Sequence, residues 1–224
     1  MQFNFLKSIY LKFFLLILIS FVVDNSLLNK LNGPPPWDQG YHLSNVFKMY
    51  NILSENSINL NNKINLLLNI TDSYRGPLTY FLSALFLKIT DNTYVYAYLS
   101  NQIFNLICIF SIFNLGKLFK NQAVGLWASI IFTFSKLIID QRSDYLIDLS
   151  LTGFTTLNLF FFTKWYLNKK TVNLFPLLCG ISLALVFLIK PTSIIIFFFP
   201  FLVIISKLFK SEENSFESIK EIFL

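Results

Sequence analysis

The stretch PPPWDQGYH, residues 34–42, sets one carboxylate, Asp38, between a tryptophan and an amide, with the chain's single histidine, His42, four residues on. Further along, DQRSDYLID gathers Asp140, Arg142, Asp144 and Asp148, and Lys190 stands alone between two long apolar runs. Charges at the edge of an apolar medium are costly unless paired or turned toward a wet cavity, so such residues are candidates for a functional site. Three prolines stiffen the backbone before Asp38, which suits a loop that holds that acid in place. Trp37 offers a large ring that can stack on a sugar or a lipid head group, or simply anchor at a membrane surface. Plainer roles exist for others: Arg142 can pair with Asp144, and Lys190 can reach up to phosphate head groups. If Asp38 caps a helix from Gln39 to about Leu53, His42 shares its face. One acid and one imidazole with neither cysteine nearby do not make a zinc site, and no metal or cofactor is expected.

The elements that must carry these residues follow from composition. Of 224 residues, 54% are apolar, 27 are Phe and 13% are charged, with mean hydropathy +0.59. A soluble domain averages about 25% charged, so this is the profile of an integral membrane protein. The net charge of +6 comes from Lys and Arg at the ends of apolar blocks, not from a basic cluster among exposed aromatics, so nucleic acid is excluded as a partner. Cys108 and Cys179 sit in apolar blocks as packing residues. There is no phosphate-binding glycine loop, dinucleotide fingerprint or His-Glu-x-x-His.

Lys7 and Lys12 precede FFLLILISFVV with no small-x-small cleavage site after it, which predicts an uncleaved signal-anchor helix over 1–23. Further spans are predicted at 94–116, 121–139, 147–163, 173–189 and 191–207. The last two are divided at Lys190-Pro191 because about 35 residues of helix would be roughly 52 Å long, against a hydrocarbon core of about 30 Å. Segment 77–89 is too short to span and reads as an interfacial helix. Charge parity supports this: with 77–89 uncrossed and the N-terminus inside, Lys12, Lys117, Lys120, Lys164 and Lys169 all fall on the cytoplasmic side.

The expected fold is all-α, a polytopic protein of the inner (plasma) membrane with about six transmembrane helices. A short interfacial helix lies in the external loop 24–93, a five-helix region covers 94–207, the tail 208–224 is cytoplasmic, and both termini are cytoplasmic. Asp38, Asp140, Arg142, Asp144, Asp148 and Lys190 then share the outer face. Asn101, Gln102 and Asn105 are expected to hydrogen-bond between helices, and Tyr94, Tyr96, Tyr98, Trp165 and Tyr166 to form interfacial belts.

An acid soon after the first helix, then RGPLTYFLSALF, then a helix opening with RSDYLIDLSL, then GISLALVFLIKP, resembles the N-terminal part of membrane glycosyltransferases of the C-type fold. The nearest group is that of the protein mannosyltransferases and aminoarabinose transferases, and the likeness runs over about residues 8–207. The resemblance implies transfer of a sugar from a polyprenyl-phosphate donor to a lipid, glycan or protein acceptor on the extracytoplasmic face. Asp38 aligns with the first acid of the family's acidic pair, which the resemblance implies is catalytic, as general base or acceptor-orienting group. Lys190 and Arg75 fall where cations meet the donor phosphate. Asp148 matches an acid at the outer start of a helix, and Arg142, Trp37, His42 and Gln39 would support the site. Gln39 stands where the family has a second acid, so metal binding by a carboxylate pair is not implied.

Family members usually have more spanning helices and often a soluble C-terminal domain. The chain therefore reads as a reduced protein, a fragment, or part of a split enzyme whose second chain supplies the missing helices. Other expected partners are the prenyl-linked donor and membrane lipids. Two other classes stay open: a non-catalytic partner on the same fold, and a lipid or solute transporter, which would need polar residues continuing to the cytoplasmic face.

Overall fold

The computed structural model describes residues 8–28, 35–71, 74–90, 94–167, 174–197, 201–202 and 205. Every regular element among them is helical: α1 (Ile9–Leu28), α2 (Trp37–Ser54), α3 (Leu60–Leu68), α4 (Leu78–Ile89), α5 (Leu99–Phe119), α6 (Gln122–Phe134), α7 (Lys136–Ser143), α8 (Asp148–Leu167) and α9 (Phe175–Ile189), with 3-10 helices at Tyr94–Tyr98 and Pro191–Phe197. Helix limits have local causes. Asn59 and Asn121 accept the N–H groups of Asn62 (2.9 Å) and Val124 (3.0 Å) and so cap α3 and α6. Pro176 suits the first turn of α9, and Lys190, just before Pro191, leaves the helix in an extended conformation (φ −149°, ψ 100°). Helix α2 starts earlier than expected: Pro36 is its N-cap, and Asp38 lies within the first turn instead of capping it.

By length and composition, α1 and the segment Val95–Phe119 can each cross a membrane, and α6 with α7 makes a third crossing if the bent pair is one span. The expected segment 121–139 is thus not one straight helix. It bends by 58° at Ser135, where the backbone is extended and Ser135 Oγ donates to the Phe132 carbonyl (2.9 Å), competing with the helical ladder. Helix α4 has 12 residues, about 18 Å of rise, well short of a hydrocarbon core of about 30 Å. Most of the expected segment 191–207 after Phe197, and the tail 208–224, lie outside the described residues.

Helix α5 is central, packing on α6 and α8, while α8 also packs on α9. Helices α5 and α6 meet backbone to backbone: a Cβ on Gly116 would lie 2.5 Å from Gly125 Cα, and one on Gly125 would lie 2.2 Å from the Phe113 carbonyl oxygen. On the other side, Asn158 of α8 donates to the Cys179 carbonyl (2.8 Å) and to Ser182 Oγ (3.0 Å) of α9. The main core joins α2 and α4 (Leu43, Val46, Met49, Tyr80, Leu87) to Phe104, Leu149, Phe154, Val186 and Ile189. Leu16 of α1 packs on Ile109, Phe113 and Leu126. Cys108 and Cys179 are buried free thiols.

The amides of α5 bond to other segments, as expected. Gln102 donates to Asn25 Oδ1 (3.2 Å), Asn105 to Ser20 Oγ (2.7 Å), and Asn101 to the carbonyls of Arg142 (3.3 Å) and Asp144 (2.9 Å). The early turns of α5 therefore meet the late turns of α1. At the opposite ends Lys117 and Gln122 donate to Tyr10 Oη (3.4 and 2.9 Å). The two helices run antiparallel, so the chain between them, carrying α2 to α4, leaves and returns at one end of the bundle. The start of α8 and the end of α9 meet that same end, through a Thr79–Ser150 hydroxyl contact (2.7 Å) and a Gly76 N–H to Ile189 carbonyl bond (2.8 Å).

Candidate functional site

The first turn of α2 presents Trp37, 94% exposed, and Asp38, also exposed, at a helix N-terminus, where a carboxylate is electrostatically favoured. One turn on, on the same side of the helix, Tyr41 carries the guanidinium of Arg75 over its ring, 4.7 Å from the centroid. Arg75 is fixed in turn by Gly76. A Cβ at Gly76 would lie 1.9 Å from the Leu188 carbonyl oxygen, so only glycine lets this strap reach the end of α9 and donate its N–H to Ile189. Lys190 is the next residue, half-buried, with its own N–H on the Val186 carbonyl (3.1 Å). Three elements thus bring Asp38, Arg75 and Lys190 to one region through two contacts.

Gln39 ties the same turn to the α7–α8 connection. It is buried, donates from Nε2 to Asp144 Oδ1 (2.8 Å) and accepts from Tyr98 Oη (2.9 Å). Four residues after Asp144, Asp148 opens α8, half-buried at the helix start. Tyr98, expected in an interfacial belt, is instead buried in this network, edge-on to Tyr145 with ring centroids 5.4 Å apart. Burial holds the Tyr145 phenol above its ordinary pKa, and its hydroxyl donates to Ser83 Oγ. Ser83 also contacts the Ser100 hydroxyl (2.7 Å), which continues the network from α4 to α5.

Two sequence-predicted residues lie away from this surface. His42 is buried against Tyr80, with Nδ1 2.7 Å from the phenol oxygen and the rings stacked at 5.7 Å, so it braces α2 on α4. Arg142 does not pair with Asp144. Its Nε lies 3.2 Å from Asp24 Oδ1, and its Nη1 donates to Ser20 Oγ (2.6 Å), with the Arg and Asp side chains 1% and 6% exposed. The reason is that α1 continues past the boundary expected at 23 and carries Asp24 into the bundle. An acid at the end of an apolar run was the signal for this pair. Tyr41 and Asp144 as partners of Arg75 and Gln39 had no signal in local spacing.

Beside the strap lies an apolar cavity of about 220 Å³, lined by residues that include Met49, Ile64, Leu67, Pro77, Phe81 and Leu188. Pro77 follows Gly76, and Leu188 is the residue Gly76 touches, so the cavity adjoins the Arg75–Lys190 region.

The family description "Dolichyl-phosphate-mannose-protein mannosyltransferase" matches residues 74–217, more than half of the chain. The chain belongs to this family. Arg75, Arg142, Asp148 and Lys190 fall within the protein mannosyltransferase match; Trp37, Asp38, Gln39 and His42 precede it, so their place beside the matched residues rests on the contacts above. No curated protein and no solved structure matches the chain. With its apolar helices, this member of the protein mannosyltransferase family is a glycosyltransferase-type integral membrane protein, and the family's donor is a sugar on a polyprenyl phosphate.

Proposed function

We propose that the chain transfers a sugar from a polyprenyl-phosphate donor to a lipid, glycan or protein acceptor on the extracytoplasmic face of the inner membrane. The observation that carries this reading is the pair of contacts that join three segments: Arg75 over the ring of Tyr41, one turn after Asp38, and the Gly76 N–H on the carbonyl of Ile189, the residue before Lys190. Arg75 and Lys190 hold the donor phosphate, which gains negative charge as the bond from the sugar's anomeric carbon to the phosphate oxygen breaks. The acceptor oxygen forms the new bond to that carbon, and Asp38 takes its proton. The adjoining apolar cavity receives the first part of the prenyl chain, and exposed Trp37 stacks on a sugar ring beside Asp38. In this reading about six spans, with both termini cytoplasmic, set α2 to α4 outside.

The test is incorporation of labelled sugar from a prenyl-linked donor by the purified chain in lipid nanodiscs. Asp38→Asn should abolish transfer while leaving membrane insertion and monodispersity unchanged. Transfer that survives in Asp38→Asn would remove Asp38 from the chemistry. No transfer by the wild-type chain with any acceptor class would favour a non-catalytic partner, or one part of a two-chain enzyme.

A further inference from the structure

We infer that Asp144 is a positioning residue for Asp38, acting through Gln39; the inference rests on the proposed reading of Asp38. The geometry is specific. Gln39 is 8% exposed and its amide is used at both ends, donating to Asp144 Oδ1 (2.8 Å) and accepting from Tyr98 Oη (2.9 Å). A carboxylate only accepts, so Asp144 requires the amide nitrogen to face it and the amide oxygen to face Tyr98. No ionised or apolar side chain could satisfy both partners, since an ionised Glu cannot donate and a Leu can do neither.

Both ends of this bridge are anchored. Tyr98 is 1% exposed and packed edge-on to Tyr145. Asp144 is the C-cap of α7, its N–H on the Asp140 carbonyl (2.9 Å) and its own carbonyl held by Asn101 (2.9 Å). Two residues earlier Arg142 is pinned to Asp24 of α1. The turn that Gln39 holds is, by contrast, weakly fixed at its start. The N-cap of α2, Pro36, supplies no side-chain hydrogen bond; within the first turn Gln39 is the residue bonded to other segments, and one turn on the Arg75–Tyr41 and His42–Tyr80 contacts hold the helix. Since Gln39 is the residue after Asp38, tilting its amide away from Asp144 redirects the Asp38 carboxylate. Asp144 thus links the matched part of the chain, from the α7–α8 connection, to a site acid that lies outside it.

The test is a reciprocal exchange. Gln39→Glu sets two carboxylates against each other, and Asp144→Ala removes the acceptor. Each should lower kcat by about tenfold or more with KM for the donor little changed, because the reacting groups are misplaced instead of lost. In the double variant Gln39→Glu/Asp144→Asn, the amide introduced at position 144 donates to the carboxylate introduced at position 39, and Tyr98 still has an acceptor. Its kcat should therefore return to within about threefold of wild type. A readout independent of activity comes from a Trp127→Phe/Trp165→Phe background, where Trp37 alone reports on the first turn of α2. Its fluorescence anisotropy should fall in Gln39→Glu and recover in the double variant.

If the double variant recovers anisotropy but not kcat, the Asp144 carboxylate itself is needed and the inference fails. It fails equally if Asp144→Ala changes neither measurement, or if the double variant does not fold. If the wild-type chain transfers no sugar, the proposed function falls on that result, and the Trp37 anisotropy cycle decides the Gln39–Asp144 coupling by itself.

Discussion

The Asp24–Arg142 pair permits a quantitative test of how the bundle end is held. Replacing Asp24 by Leu leaves a guanidinium 1% exposed, still beside Ser20 Oγ at 2.6 Å but without its counter-charge. Removing one partner of a buried pair costs about 3–5 kcal/mol, because the survivor is left charged and desolvated. Retention of the Ser20 hydrogen bond places this case at the lower end, about 3 kcal/mol. Arg142→Met should cost a similar amount by stranding Asp24. The double variant Asp24→Leu/Arg142→Met replaces both charges by apolar groups and should fall within about 1 kcal/mol of wild type, giving a coupling free energy of about 5 kcal/mol. For a chain of this size, roughly 2–4 °C of melting temperature per kcal/mol implies that each single variant melts about 6–12 °C lower while the double variant is nearly restored. The assay is a thermal melt in detergent followed by size-exclusion fluorescence. Additive losses in the double variant would refute the pairing. Coupling of Arg142 to Asp144 instead of Asp24, in the parallel cycle with Asp144→Asn, would show that the sequence-based partner was the right one.

Further outcomes follow from single contacts. Gly76→Ala places a Cβ 1.9 Å from the Leu188 carbonyl oxygen; it should destabilise by about 1–3 kcal/mol and reduce sugar transfer, and an unchanged melt and rate would show that the strap does not position Arg75. Asn158→Leu removes donors to the Cys179 carbonyl and Ser182 Oγ; the melt should drop by the equivalent of about 0.6 kcal/mol and no more than about 1.7, whereas no drop would mean that α8 and α9 hold together by packing alone. In a Cys108→Ser/Cys179→Ser background, Trp37→Cys should react with an impermeant maleimide on intact cells and Lys117→Cys only after permeabilisation. The reverse pattern would place the Asp38 region in the cytoplasm and end the proposed donor chemistry there.

Much of the secondary structure was legible because membrane helices are written in composition. The apolar blocks predict α1, α5, α8 and α9, and the Lys190-Pro191 break predicts where α9 ends. Asn101, Gln102 and Asn105 announce inter-helix bonds because an amide in an apolar helix has nowhere else to turn. Two differences are local in origin. The end of α1 reads too early because Asp24 looks like a loop residue until its partner, more than a hundred positions away, is known. The bend at Ser135 is hidden because the apolar run before it resumes at Leu137–Ile139 after a single lysine, and the extended backbone is marked only by one hydroxyl that bonds back to Phe132.

The site was half legible for a related reason. Asp148 and Lys190 stand out as charges at the edge of apolar blocks, Asp38 by the three prolines before it, and Arg75 only through the family resemblance. What joins them is carried by uncharged groups that look ordinary in a sequence: the ring of Tyr41 under Arg75, the missing side chain of Gly76 against Leu188, and the amide of Gln39 between Tyr98 and Asp144. Gln39 is the instructive case. As an isolated letter it reads as a lost acid, yet in the fold it is a neutral group that can face a carboxylate and a phenol at once. Charge types in a sequence therefore nominate candidate groups for such a site. The neutral donors and acceptors that aim them are settled only when helices distant in sequence are packed together.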